Sequence, residues 1–194
     1  TVRKLRTQYA CETVLDYGCG QSKLAEALEY PAWLYEYDPA VAGKDAEPPH
    51  ADLVVCTDVL EHIEPGLLDD VLVHMHGCAR KVLLLNIATV AAGKFLEDGR
   101  NAHLIVQDAA WWQERLEAFF RIEDFTLGDG HVTLVVQRQI RVGDELRTKS
   151  AVSPTIRAEN MRVNCPRVEG RIALLPPHDL TAILCCYGPS LRDT

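Results

Sequence analysis

Four groups of residues in this 194-residue sequence combine types and spacings that can do chemistry. The first is Asp16-Tyr17-Gly18-Cys19-Gly20, which directly follows the apolar run Thr13-Val14-Leu15. Glycines let a backbone turn tightly and approach a ligand with no Cβ in the way. A helix beginning near Ser22 adds free N–H donors to the same turn. Such a turn suits a nucleotide-like ligand; a plain tight loop is the alternative. The second group is Asp38-Pro39, at the spacing of about 20 residues where nucleotide-binding α/β folds place an acid on ribose hydroxyls. A carboxylate can accept both hydroxyl protons at once, although Asp-Pro is also an ordinary turn opener.

The third group, Thr57-Asp58-Val59-Leu60-Glu61-His62, ends another apolar run. Its His62 is either a structural histidine or one that lines a site. The fourth is the polar set Arg100-Asn101 with His103, in an irregular stretch. Asn101 and His103 are candidates for polarising or deprotonating a nucleophile. The competing reading is a loop held by its own hydrogen bonds.

The elements that must position these groups follow from periodicity. Residues 22–30 carry Leu24, Ala25 and Leu28 at helical spacing, and Pro31 ends that helix. Residues 33–37 read as a second strand. Residues 40–50 are too short for both a further helix and a third strand, so this region is abbreviated or irregular, with Asp45 and Glu47 as candidates there for contacting a base. Residues 51–56 form a continuous β-branched strand of the buried type. A helix over 65–79 has Leu67, Leu68, Val71, Leu72 and Met75 on its apolar face; His74 and His76, two apart, point to different sides and are not a metal pair. Residues 81–88 are another buried strand. After the irregular stretch 89–107, a helix over 108–120 is capped by Asp108, with Trp111, Leu116, Phe119 and Phe120 as core residues. Strands over 121–127 and 131–140 are joined by Gly128-Asp129-Gly130, a hairpin signal. The expected fold is α/β: a doubly wound, mostly parallel sheet with a C-terminal antiparallel hairpin and a C-terminal extension.

The pattern Asp16-x-Gly18-x-Gly20 closing a first strand resembles the first motif of class I S-adenosylmethionine-dependent methyltransferases, which have a Rossmann-like fold; Ser22 stands where that family often has a third glycine. Asp58-Val59-Leu60-Glu61-His62 looks like the fourth motif of small-molecule methyltransferases of the ubiquinone-biosynthesis type. The resemblance covers residues 10–140. It implies S-adenosyl-L-methionine as cofactor, held by Asp16, Tyr17, Gly18, Cys19, Gly20, Asp38, Pro39, Thr57 and Asp58. It also implies methyl transfer to a small-molecule or nucleotide-type acceptor, with His62, His103 and Asn101 on the acceptor side. Two other readings stay open: a non-catalytic interaction module on the same fold, and a cofactor-binding domain of a larger nucleic-acid-modifying protein. A dehydrogenase is weaker, because Lys23 occupies a position where the dinucleotide fingerprint needs glycine or alanine.

Composition narrows the partners. The net charge of −8 argues against non-specific nucleic-acid binding, though a local patch could meet a nucleic-acid substrate. The seven cysteines include no C-x-x-C pair, so neither a disulfide framework nor a metal site is signalled, and free thiols in a reducing cytoplasm are expected. There is no apolar run of about 18 residues, hence no expected membrane span. The chain begins at Thr1, which reads as a piece of a longer protein. Residues 141–178 read as a linker or extended arm. Residues 179–194 read as a strand and glycine turn, Gly188-Pro189-Ser190, that either opens a second domain or is a terminal strand adding to the first sheet or to a neighbouring molecule.

Overall fold

The computed structural model describes residues 1–139; the expected linker and terminal strand lie outside the described residues. Six strands form one sheet in the order β2-β1-β3-β4-β6-β5. The strands are β1 (Val14–Tyr17), β2 (Leu34–Tyr37), β3 (Ala51–Thr57), β4 (Ala79–Ala88), β5 (Phe120–Leu127) and β6 (His131–Arg138). The first four are parallel. β6 runs antiparallel between β4 and β5, so the hairpin closes one edge of the sheet. From β1 the chain moves outward to β2 and then returns to β3 on the other side of β1. The switch point therefore falls between the carboxyl ends of β1 and β3, where open α/β sheets bind ligands.

Two helical layers cover the sheet. On one face, α1 (Val2–Gln8) and α2 (Lys23–Ala27) pack over Val14, Leu53, Val55, Val82, Leu84 and Val135. Alternate residues, including Leu15, Val54, Leu83 and Leu85, turn to the other face. There α3 (Leu68–Cys78) buries Leu68, Val71, Leu72, Met75 and Cys78, and α4 (Ala109–Glu117) buries Trp112 and Leu116. Because β1, β3 and β4 are covered on both faces, their central residues, Val14-Leu15, 53–56 and 82–85, are consecutive apolar residues rather than alternating ones.

Several boundaries differ from the sequence expectation for local reasons. α2 is short: Glu29 and Tyr30 adopt positive φ (64° and 49°), which stops the helix before Pro31 is reached. A 3-10 turn at Pro65–Leu67 precedes α3. In α4 the core tryptophan is Trp112, fully buried, while Trp111 is half-buried. Leu116 and Phe120 are buried as expected, and the tryptophan that joins them is Trp112, four residues before Leu116, with Phe120 already the first residue of β5. Phe119 is also half-buried rather than a core residue. No helix or strand separates β2 from β3. Residues 38–44 form a compact turn in which Asp38 N–H donates to Lys44 O (2.9 Å) and Lys44 N–H to Val41 O (2.9 Å). Cys11, Cys19, Cys56 and Cys78 are free and buried. Among the described residues no helix is long and apolar enough to cross a membrane.

Candidate active site

The glycine turn is built by three strand ends meeting. Gly18 and Cys19 both donate their backbone N–H to Tyr37 O at the end of β2 (2.8 and 3.1 Å). Gly18 has φ +78°, and a Cβ placed on it would lie 2.5 Å from Val59 Cγ2, in the segment after β3. Glycine is therefore required twice over, by backbone conformation and by the side chain packed against it. Gly20 has φ +48° and nothing within 4 Å of its would-be Cβ, so the space beside the turn is open there. Ser22 has φ +63°, which explains why a glycine is often found at this place; a non-glycine residue pays about 1 kcal/mol for it.

Asp38 sits at the tip of β2, nearly buried, and fastens the turn. One carboxylate oxygen accepts from Gly20 N–H (2.9 Å) and the other from Ala40 N–H (2.9 Å). Lys44 lies across the same turn. Its ammonium donates to Gly20 O (3.2 Å), to Glu36 Oε1 (3.1 Å) and to the Ser22 hydroxyl. Asp16, buried one residue before the end of β1, has its carboxyl pushed up to about 7, first by burial and then by the negative field of Glu36; Lys44 opposes the shift. Burial also raises the Cys19 thiol to about 12, so it stays protonated.

Not every expected cofactor residue presents its side chain here. The Tyr17 side chain turns into the opposite layer, where its hydroxyl bonds His74 Nδ1 of α3 (2.8 Å) and its ring packs on Tyr37. Only the Tyr17 backbone belongs to the turn. Pro39 is buried. Thr57 and Asp58 are exposed at the tip of β3, where Asp58 has φ +56° and its N–H donates to Asn86 O (3.0 Å). Asp45 and Glu47 are both exposed; Asp45 only caps Gly43 N–H (3.0 Å). A cleft of about 510 Å³ opens on the α1–α2 face, with Thr57, Asn86 and Thr133 among its walls. Asn86 Nδ2 donates to Thr133 Oγ1 (2.8 Å). These two residues were not picked out by the sequence reading; their only signal is position near the strand ends that flank the switch point.

A second cluster stands over the ends of β3 and β4. His62 ends a 3-10 turn (Leu60–His62), and its ring meets that of His103 edge-on, with centroids 4.8 Å apart. His62 Nδ1 donates to Ala102 O (2.8 Å) and His103 Nδ1 to Val90 O (2.6 Å). Burial, and then the neighbouring His103, lower the His62 imidazole to about 4, so it is neutral at pH 7. Beside them Glu61 is fully buried; its Oε1 accepts from Ala88 N–H (2.9 Å) and its backbone carbonyl accepts from Ile105 N–H (2.9 Å). Asn101 is spent on the loop itself. Its carboxamide exchanges two bonds with the Ala92 backbone (2.9 Å each) and accepts from His103 N–H (2.9 Å). The geometry thus brings His62 and His103 together and gives Asn101 the work of holding the loop that carries His103.

No family model and no curated protein matches the chain in sequence. Solved structures do match it. The DhpI–SAH complex superposes with a TM-score of 0.57 at 17% identity, covering 72% of this chain and 83% of that one. The 1,6-didemethyltoxoflavin-N1-methyltransferase of Burkholderia thailandensis, solved with 1,6-didemethyltoxoflavin and S-adenosylhomocysteine, superposes with a TM-score of 0.53 at 15% identity, covering 71% and 76%. The chain has the class I methyltransferase fold. Residues 38–50 carry no helix or strand, and among the described residues β2 is an edge of the sheet.

Proposed function

We propose that the protein transfers a methyl group from S-adenosylmethionine to a small-molecule acceptor. The observation that carries this reading is the convergence of the Gly18–Gly20 turn, Asp38 and the Val59 segment at the switch point of a methyltransferase fold. The residues present fit the cofactor. The side of the turn at Gly20 is open, and each Asp38 oxygen, already holding one backbone N–H, has lone-pair capacity left for a ribose hydroxyl. When bound, the cofactor supplies an activated methyl on a sulfonium.

The chain's own residues then have limited work: to hold donor and acceptor in line and to manage one proton. Asp38 orients the ribose. Asp16 is poised to lose its proton when a cation comes near, because its carboxyl is held up to about 7 chiefly by burial. His62 and His103 provide imidazoles on the acceptor side, with Nδ1–H tied to carbonyl oxygens and the ring lone pair on Nε2. An acceptor hydroxyl or amine directed there can pass its proton to that pair.

The test is equilibrium binding of S-adenosylhomocysteine to the native chain and to Asp38→Ala. Loss of the charged acceptor should weaken binding by about 1 kcal/mol or more, a factor of five or greater. Equal affinity in a variant whose melting temperature is unchanged would remove Asp38 from the ribose site.

A further inference from the structure

We propose that Glu61, His62 and His103 form a binding site for a divalent transition-metal cation of the zinc class. One potential ligand atom from each of the three lies within 4.8 Å of the others. The sequence offered no metal spacing, because the three residues come from two separate segments: the 3-10 turn after β3 and the loop after β4.

The independent observation is Glu61. Its side chain is fully buried, Oε1 is bonded to Ala88 N–H, and Oε2 is buried with no hydrogen-bond partner. A carboxylate oxygen taken out of water without a partner is costly, and folds rarely keep one. A cation beside the two imidazoles would satisfy it. Both rings also have the arrangement usual for metal-bound histidine. Each Nδ1 faces a backbone carbonyl, which can only accept, so Nδ1 carries the proton and Nε2 the lone pair. The supporting shell is built: Ile105 N–H holds the Glu61 carbonyl, Ala102 N–H bonds Lys94 O (3.0 Å), and Asn101 ties the loop at Ala92.

The donor set is two imidazole nitrogens and one carboxylate oxygen, which suits zinc and its neighbours and leaves coordination positions open. Bonds of about 2.1 Å place tetrahedral ligand atoms about 3.4 Å apart, so binding would close any of the present separations, all within 4.8 Å, that exceed this.

The use of the ion rests on the methyl-transfer reading above. An open position beside the acceptor favours an oxygen nucleophile, a hydroxyl or phenol, whose acidity rises on approach to the cation. With both Nε2 lone pairs donated to the ion, the imidazoles no longer take the proton as they would in the metal-free site: the O–H proton leaves to solvent, the oxygen forms a bond to the methyl carbon, and the carbon–sulfur bond breaks with its electron pair going to sulfur. The products are an O-methyl ether and a neutral thioether, with no oxidant or reductant consumed.

The experiment titrates cobalt(II) into the chelator-treated full chain and reads the visible ligand-field bands, with zinc as competitor. The expected result is one cobalt per chain, displaced by zinc. Affinity should fall about tenfold or more in Glu61→Gln and about a hundredfold in His103→Gln, and be unchanged in His50→Gln, an exposed histidine outside the cluster. Circular dichroism melting identifies any variant that fails to fold, and the remaining variant then decides. Binding weaker than about 0.1 mM, or binding that folded Glu61→Gln and His103→Gln leave intact, overturns the site. Binding of S-adenosylhomocysteine is measured in parallel. Lost cobalt with intact nucleoside binding sinks the metal site alone, and the reverse pattern sinks the methyl-transfer reading alone.

Discussion

Gly18 and Val59 are in contact across the switch point: a methyl group on Gly18 would come within 2.5 Å of Val59 Cγ2. Val59 is buried and β-branched, so it has little room to move away. The two sequence motifs are thereby one packed unit, with β1 and β3 as adjacent parallel strands beneath it.

Gly18→Ala should therefore be destabilising by about 2–4 kcal/mol, the sum of a left-handed backbone cost and an overpacking cost. Urea unfolding measures it. Adding Val59→Ala should recover the packing part and leave the backbone part, giving a coupling of at least about 1 kcal/mol. Strictly additive single and double variants would show that the two residues do not touch.

The Asp16 carboxyl titrates near 7 in the folded chain, against an ordinary value of 3.8, because burial disfavours its charge. Between those values the folded state holds a proton that the unfolded state has lost. The stabilising contribution is complete below 3.8 and disappears as pH rises through about 7. The difference in unfolding free energy between the native chain and Asp16→Asn should accordingly fall from pH 4 to pH 8, by on the order of a few kcal/mol. A pH-independent difference would contradict the assignment.

Trp112→Ala should cost about 3–5 kcal/mol, since it empties a fully buried site. The half-buried Trp111 should cost clearly less when replaced by alanine. Thermal or urea unfolding of the two variants separates them, and equal losses would mean the helix face is wrong.

Tyr17→Phe removes the hydroxyl bonded to His74 Nδ1 and leaves that nitrogen's partner missing in a mostly buried place. The expected loss is about 1–2 kcal/mol of stability with no change in cofactor affinity. A selective loss of affinity would return Tyr17 to the binding site.

The strands of this fold were legible because β1, β3 and β4 are covered on both faces and so carry continuous apolar stretches, Val14-Leu15, residues 53–56 and residues 82–85. The missing third strand was legible from length alone. Helix ends were less so: nothing local in Glu29-Tyr30 announces two successive left-handed residues. Which tryptophan of α4 enters the core was hidden because Trp111-Trp112 offers an aromatic to either face, and tertiary packing chose Trp112. Within the site, glycines and acids at strand tips stood out because backbone chemistry demands them. Asn86, Thr133 and the Glu61–His62–His103 grouping did not, because they depend on strand register and on how a loop folds back.

The most direct measurement of the central claim is isothermal calorimetry of the chain with S-adenosylmethionine, S-adenosylhomocysteine and NAD. The account predicts saturable one-to-one binding of both sulfur nucleosides and none of NAD, with Asp38→Ala weakening both. Binding of NAD alone, or of neither sulfur nucleoside, would contradict it.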